Sequence, residues 1–185
     1  KPDGDYLFIQ SEVAPPQRHI LVEKTFKTGA IYGEFPGIAS DRLIPYPLNN
    51  IEINLLINWL ADYGDLVFHA VGIKYRGCGY CFVGPSGVGK STLALALLDI
   101  PGIKILGEDN IILRYQKDQF WIYGTPWHEK PKMCAANCAP LKKIYFLDRT
   151  LTPGISQCDP LQGVLRLLQT AFIPYYRPET LPGIL

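Results

Sequence analysis

The sequence predicts a mixed α/β fold. A phosphate-loop core is expected over residues 49–185, with a β-rich flanking segment over residues 1–48 packed on it as part of one compact domain. Three observations predict it. Gly84-Pro85-Ser86-Gly87-Val88-Gly89-Lys90-Ser91 has the G-x-x-x-x-G-K-S spacing of a P-loop, between a β-prone apolar run and a run of helix formers. Short apolar stretches punctuated by Pro, Gly and charged turns fill the first 48 residues. Two other segments, 51–63 and 161–170, carry capping residues ahead of recurring apolar positions.

The elements follow in order. Tyr6-Leu7-Phe8-Ile9, His19–Glu23 and Ala30–Phe35 are short strand candidates. Asn49 or Asn50 caps a helix from Ile51 to about Tyr63, with Leu55, Leu56, Trp59 and Leu60 apolar and Gly64 at its end. Leu66–Ile73 reads as a strand, and a turn at Lys74-Tyr75-Arg76-Gly77 makes it one arm of a hairpin whose second arm, Tyr80–Val83, enters the glycine loop. Thr92–Leu98 continues as helix. Ile103–Leu106 is a strand running into Gly107-Glu108-Asp109. Ile111–Tyr115 and Gln119–Gly124 form a hairpin across Gln116-Lys117-Asp118, and Thr125–Lys132 is a loop that serves as a substrate or metal contact or as a polar connection only. Leu141–Asp148 is a further strand, Asp159 starts the last helix, and Ile173–Pro178 is a loop.

Composition bounds the partners. The chain has 185 residues, is 48% apolar and 19% charged, and carries a net charge of +1. That is an ordinary globular balance with no general electrostatic case for nucleic acid or an anionic membrane. Charges and glycines interrupt the apolar runs well short of a membrane span, and Lys1-Pro2-Asp3-Gly4-Asp5 is polar and turn-like, so no signal peptide is expected. Five cysteines, an odd number in a chain that needs no covalent staples, favour a reducing, cytoplasmic setting. Cys78-x-x-Cys81 and Cys134-x-x-x-Cys138, with His128 nearby, admit zinc. Reduced structural thiols are the plainer reading, because Cys81 sits in the strand that feeds the loop.

The chemistry concentrates at the loop. Gly84, Gly87 and Gly89 free the backbone to turn successive N–H groups toward a phosphate, and the helix starting near Lys90 points its positive end at the same anion. Lys90 adds a mobile charge for the outer phosphates, and Ser91 offers a hydroxyl to Mg²⁺. Pro85, Ser86, Val88 and Thr92 complete the nucleotide-binding stretch. A glycine-rich turn matching by chance is the alternative, and the flanking strand and helix argue against it. Glu108 and Asp109 end a strand behind such a loop, where carboxylates hold Mg²⁺ or accept a proton from an attacking hydroxyl. A surface turn is the alternative there. His69 is an ionisable group in an otherwise apolar strand. It is either a satisfied core residue or a group aimed at the phosphates.

These residues together resemble the HPr kinase / phosphoenolpyruvate carboxykinase-like P-loop superfamily, and within it the HPr-kinase-like proteins. The resemblance rests on His69-Ala70-Val71 ahead of the loop, on Gly84–Thr92, on Gly107-Glu108-Asp109 and on Ala139–Leu147, and it covers roughly residues 50 to 170. It implies that Lys90 binds β- and γ-phosphates, Ser91 binds Mg²⁺, Asp109 accepts the proton of a substrate hydroxyl and His69 lies beside that base. Glu108 stands where the family has the first Asp of a pair. The family's glycine- and arginine-rich segment after the acidic pair is not recognisable, which puts HPr itself in doubt as the acceptor. Glu129 and Arg177 are weak matches to a metal-binding Glu and a later active-site Arg.

The expected activity is therefore that of a kinase. ATP and Mg²⁺ are its cofactors, His69, Lys90 and Asp109 its catalytic residues, and Ser91, Glu108 and Asp109 its metal ligands. The acceptor is a hydroxyl, Ser first, on a protein, peptide or small molecule. No nucleic acid or membrane partner is expected, and a homo-oligomer is left open. The alternative is a catalytically weak nucleotide-binding regulatory module. GTPase and transporter signatures (Asn-Lys-x-Asp, Leu-Ser-Gly-Gly-Gln) are absent from the sequence.

Overall fold

The computed structural model describes residues 6–10, 18–33, 51–127, 132–149 and 153–184. The architecture is mixed α/β and mostly sheet. Strands β1 (Tyr6–Gln10), β2 (Arg18–Val22) and β3 (Gly29–Gly33) form a three-stranded antiparallel sheet, close to the expected bounds. Ile20, Val22 and Phe26 make its small core, and Leu55 and Trp59 of helix α1 (Ile51–Leu60) pack against it. The proposed caps Asn49 and Asn50 lie outside the described residues. The helix tightens into a 3₁₀ turn over Ala61–Tyr63 and stops at Gly64, whose φ of 68° reverses the chain.

Strand β4 (Leu66–Tyr75) is the spine of the larger sheet. Its first half pairs with β7 (Asn110–Gln116) and with the two-residue β10 (Ala171–Phe172). Its second half pairs with β5 (Cys78–Val83) and β6 (Ile103–Gly107). β7 turns back into β8 (Gln119–Gly124), β8 pairs with the start of β9 (Cys138–Phe146), and the rest of β9 runs parallel to β5. Hydrogen bonding thus passes through β4, β5, β9, β8 and β7 and returns to β4 as a closed ring.

Alternation decides which side chains fill that ring. Leu66, Phe68 and Ala70 of β4 meet Cys81 and Val83 of β5, Ile111 and Leu113 of β7 and Ile122 of β8. The opposite face of β4, Val71 and Ile73, packs with Ile105, Met133 and Ala94 of helix α2 (Lys90–Leu98). Both hairpin turns have two residues with positive φ, Arg76 with Gly77 and Lys117 with Asp118, the twist-matched form that right-handed strands favour.

Asp65, its side chain fully buried, accepts from Arg114 Nε at 2.9 Å on each carboxylate oxygen. Arg114 lies against the rings of Tyr63 and Tyr123, and the Asp65 carboxylate raises the guanidinium above its ordinary range. The pair locks the entry to β4 onto β7. Helix α3 (Pro160–Leu168) starts as expected, with Asp159 Oδ1 accepting from Gln162 N at 3.1 Å. The strand expected over Leu141–Asp148 begins earlier, at Cys138, and ends at Phe146. β10, the 3₁₀ turn over Pro178–Thr180 and the short helix α4 (Leu181–Ile184) were not expected. Among the described residues no helix is long and apolar enough to cross a membrane.

Gly124 sits where three segments touch: a Cβ there would stand 2.2 Å from the Ala135 carbonyl oxygen and 2.4 Å from that of Leu106. Both obstacles are backbone, so Gly124→Ala is expected to destabilise the protein by about 3 kcal/mol in urea unfolding. Gly154→Ala, with no atom within 4 Å of the new methyl, should stay within about 0.5 kcal/mol of wild type.

Candidate active site

The glycine loop bridges β5 and α2, as its sequence context requires. Gly87 and Gly89 take φ values of 76° and 110°, where a side chain would be strained. Gly89 is the N-cap residue of α2 and no side chain caps the helix, so its first-turn N–H groups stay open to an anion. Pro85, Ser86 and Gly87 are exposed at the tip, Val88 is half-buried, and Ser91 and Thr92 are exposed on the first turn. Lys90 is 5% exposed, and its ammonium donates to the Gly84 carbonyl at 2.7 Å and the Pro85 carbonyl at 3.0 Å. Burial pushes its pKa down, and the nearby negative charge of Asp109 works in the opposite direction.

Glu108 and Asp109 form the bend between β6 and β7, opposite the middle of β4. A register shift of β6 against β4 inserts Leu106 as an extra residue just before it. The Asp109 carbonyl accepts from Ala70 N at 3.0 Å, fixing the backbone. Its carboxylate accepts twice: from His69 Nδ1 at 2.9 Å on Oδ1 and from Asn110 Nδ2 at 2.9 Å on Oδ2. The His69 hydrogen bond, foremost, holds this carboxyl below the usual Asp range, against the opposing effect of burial; Asn110 and the charge of Lys90 add to the lowering. His69, Asp109 and Lys90 therefore form one electrostatic group at the loop. His69 is partly exposed and partnered by a carboxylate rather than enclosed in the apolar core.

Glu108 differs from its neighbour. It is 4% exposed, and its charge, after burial, raises the thiol of Cys134. Among the described residues no cluster of three or more His, Cys, Asp or Glu is arranged to hold a metal. Mg²⁺ needs no such cage, since it commonly takes one or two protein oxygens plus phosphate and water. Ser91 and Asp109 offer oxygens of that kind, and both are accessible.

Other expected residues lie elsewhere. Arg177 is held by Asp62 at 2.6 Å and Glu179 at 3.3 Å, against the end of α1. His128 and Glu129 lie outside the described residues. Cys81 is buried, with its thiol pushed up by burial, and the other four cysteines are half-buried free thiols. Two residues near the loop escaped the sequence reading. Asn110 is 4% exposed and its Oδ1 has no partner among the described residues. Arg149 donates from Nη2 to the Gly87 carbonyl. Asn110 directly follows the acidic pair and could have been flagged by position; Arg149, 62 residues from Gly87, carries no local signal.

No protein-family model matches the chain, and no curated protein matches it. Among solved structures, the HPr(Ser) kinase/phosphatase from Coxiella burnetii matches with a TM-score of 0.35 and 23% identity, over 51% of this chain and 66% of that one. The match spans just under two thirds of that protein.

Because the folded pKa of Asp109 is depressed, its contribution to stability is present above the ordinary Asp range and is lost as pH falls through the lowered value. His69→Ala removes the largest cause. The Asp109 carboxyl is then expected to titrate closer to the ordinary Asp range, followed by side-chain carboxyl ¹³C NMR and assigned with Asp109→Asn. An unmoved titration would detach the lowering from His69.

Proposed function

We propose that the chain is an ATP-dependent kinase of the HPr-kinase-like type, moving the γ-phosphoryl group of Mg·ATP to a hydroxyl, Ser first, of a protein, peptide or small molecule. The observation that carries the reading is the placing of Asp109: held by His69 at 2.9 Å and felt electrostatically by Lys90, at the mouth of a loop with the P-loop spacing. Transfer to a hydroxyl gains from a carboxylate that takes its proton. A cytoplasmic setting and a core over residues 49–185 flanked by 1–48 belong to the same reading.

The roles follow from the chemistry. Open first-turn amides and the Lys90 ammonium bind the phosphates. Ser91 and Asp109 would hold Mg²⁺, with Glu108 as the third candidate ligand, and the ion would supply neutralisation of phosphate charge. The acceptor oxygen bonds to the γ-phosphorus as the bond to the β-γ bridging oxygen breaks and ADP leaves, and the hydroxyl proton passes to Asp109. His69 orients that carboxylate and stabilises its charge. A carboxylate with two donors is a weak base, so its proton transfer comes late, when the hydroxyl has become acidic.

The same double hydrogen bonding, with the burial of Glu108, favours one alternative: a nucleotide-binding regulatory module with little turnover. Labelled ATP with Mg²⁺, offered to the purified protein with and without cell extract, separates the two. A kinase labels an acceptor, and Asp109→Asn lowers that labelling roughly 10²- to 10⁴-fold while ATP still binds. If both proteins bind ATP and neither transfers phosphate, the regulatory reading replaces the kinase.

A further inference from the structure

Strands β5 and β9 run parallel, so their C-terminal ends lie side by side, and the chain leaving β9 passes the glycine loop. Leu147 N donates to the Val83 carbonyl at 2.7 Å. A Cβ built on Gly84 would stand 3.0 Å from the Leu147 carbonyl oxygen, so the loop begins pressed against this segment. Two residues on, Arg149 reaches back to the Gly87 carbonyl at the exposed tip.

The charge of Arg149 has no carboxylate partner among the described residues. Its neighbour Asp148 is already taken by Arg166 of α3 at 2.6 Å, and the same Arg166 guanidinium lies 4.8 Å from the centre of the Phe146 ring. A guanidinium has five N–H donors in a planar fork that matches phosphate oxygens, and the Gly87 carbonyl engages one nitrogen. Lys90 is a single buried point charge committed to two carbonyls. The loop tip therefore has a second cation with open donors and no anion.

We propose that Arg149 binds the outermost phosphate of a nucleoside triphosphate seated in the loop, as an arginine supplied by the same chain. The inference rests on the nucleotide-binding part of the proposed function. A charge spread over the transferring group's equatorial oxygens is what a planar guanidinium neutralises, and such an arginine acts in cis in other phosphate-loop enzymes. The segment 146–149, fixed by Leu147 and by Arg166, holds the arginine at the tip.

The test is equilibrium binding of fluorescent ATP, ADP and AMP analogues, with Mg²⁺, to the full chain and to Arg149→Ala and Arg149→Lys. Arg149 is exposed, so both variants should keep the wild-type Tm to within a few degrees. Arg149→Ala is expected to weaken the ATP analogue roughly tenfold and leave the ADP analogue within about threefold, with Arg149→Lys in between. Equal loss for ATP and ADP would make Arg149 a brace for the loop and overturn the inference, as would no loss at all. If wild type binds the ATP analogue and only the Arg149 expectations fail, the proposed function survives. If wild type binds none of the three nucleotides, that function falls and this inference falls with it.

Discussion

The larger sheet and the site on it hang on the pairing of β4 along both of its edges. Its first half is bonded to β7 and β10 and its second half to β5 and β6. β6 and β7 are consecutive in the chain, so the two residues joining them, Glu108 and Asp109, must bend opposite the middle of β4. His69 stands at that place on β4. The Asp109 carbonyl bonded to Ala70 N and the Asp109 carboxylate bonded to His69 are two results of one register. A one-residue slip would turn His69 to the other face and separate them. The register is in turn held by Leu66, Phe68, Ile111 and Leu113 in the ring's core and by Asp65 gripping Arg114 at its entry.

The same strand sends its hairpin partner, β5, into the glycine loop, so the loop and the carboxylate are positioned by opposite sides of one backbone. Their charges are arranged in tension. Lys90 is desolvated and satisfied only by two loop carbonyls, while Asp109 is supplied with donors beyond its own loop. Each lowers the cost of the other's charge. Asp109 keeps a half-exposed carboxylate that its donors hold below the usual Asp range, so its charge faces solvent rather than a dry core.

Local signals were legible in the sequence and long-range ones were not. The glycine loop could be read because glycines, lysine and serine stand at fixed offsets between a strand and a helix. The Asp159 cap, the Gly64 stop and the two hairpin turns were equally local. The start of β9 was hidden because Pro140 interrupts its pattern, and the structure shows why proline is tolerated: it lies where β9 stops pairing with β8 and begins pairing with β5. β10 has only two residues, too few for any periodicity. The His69–Asp109 contact joins residues 40 positions apart and was suggested by resemblance alone, and neither the bulge at Leu106 nor the split between buried Glu108 and accessible Asp109 is announced by a pattern in the sequence.

Ring closure also bears on how this sheet meets other molecules. An open sheet ends in rows of unpaired N–H and C=O groups that invite a strand from a second chain. Here β4, β5, β9, β8 and β7 supply partners to one another in a circuit. Among the described residues the margins are β6, five residues long with its Leu106 carbonyl taken by Ala135 N, the two-residue β10, and the edge of β9 beyond Pro140, where Leu141–Phe146 pair with β5 on one side only. Strand addition to the larger sheet is thus confined to that stretch of β9 and to the two short margins.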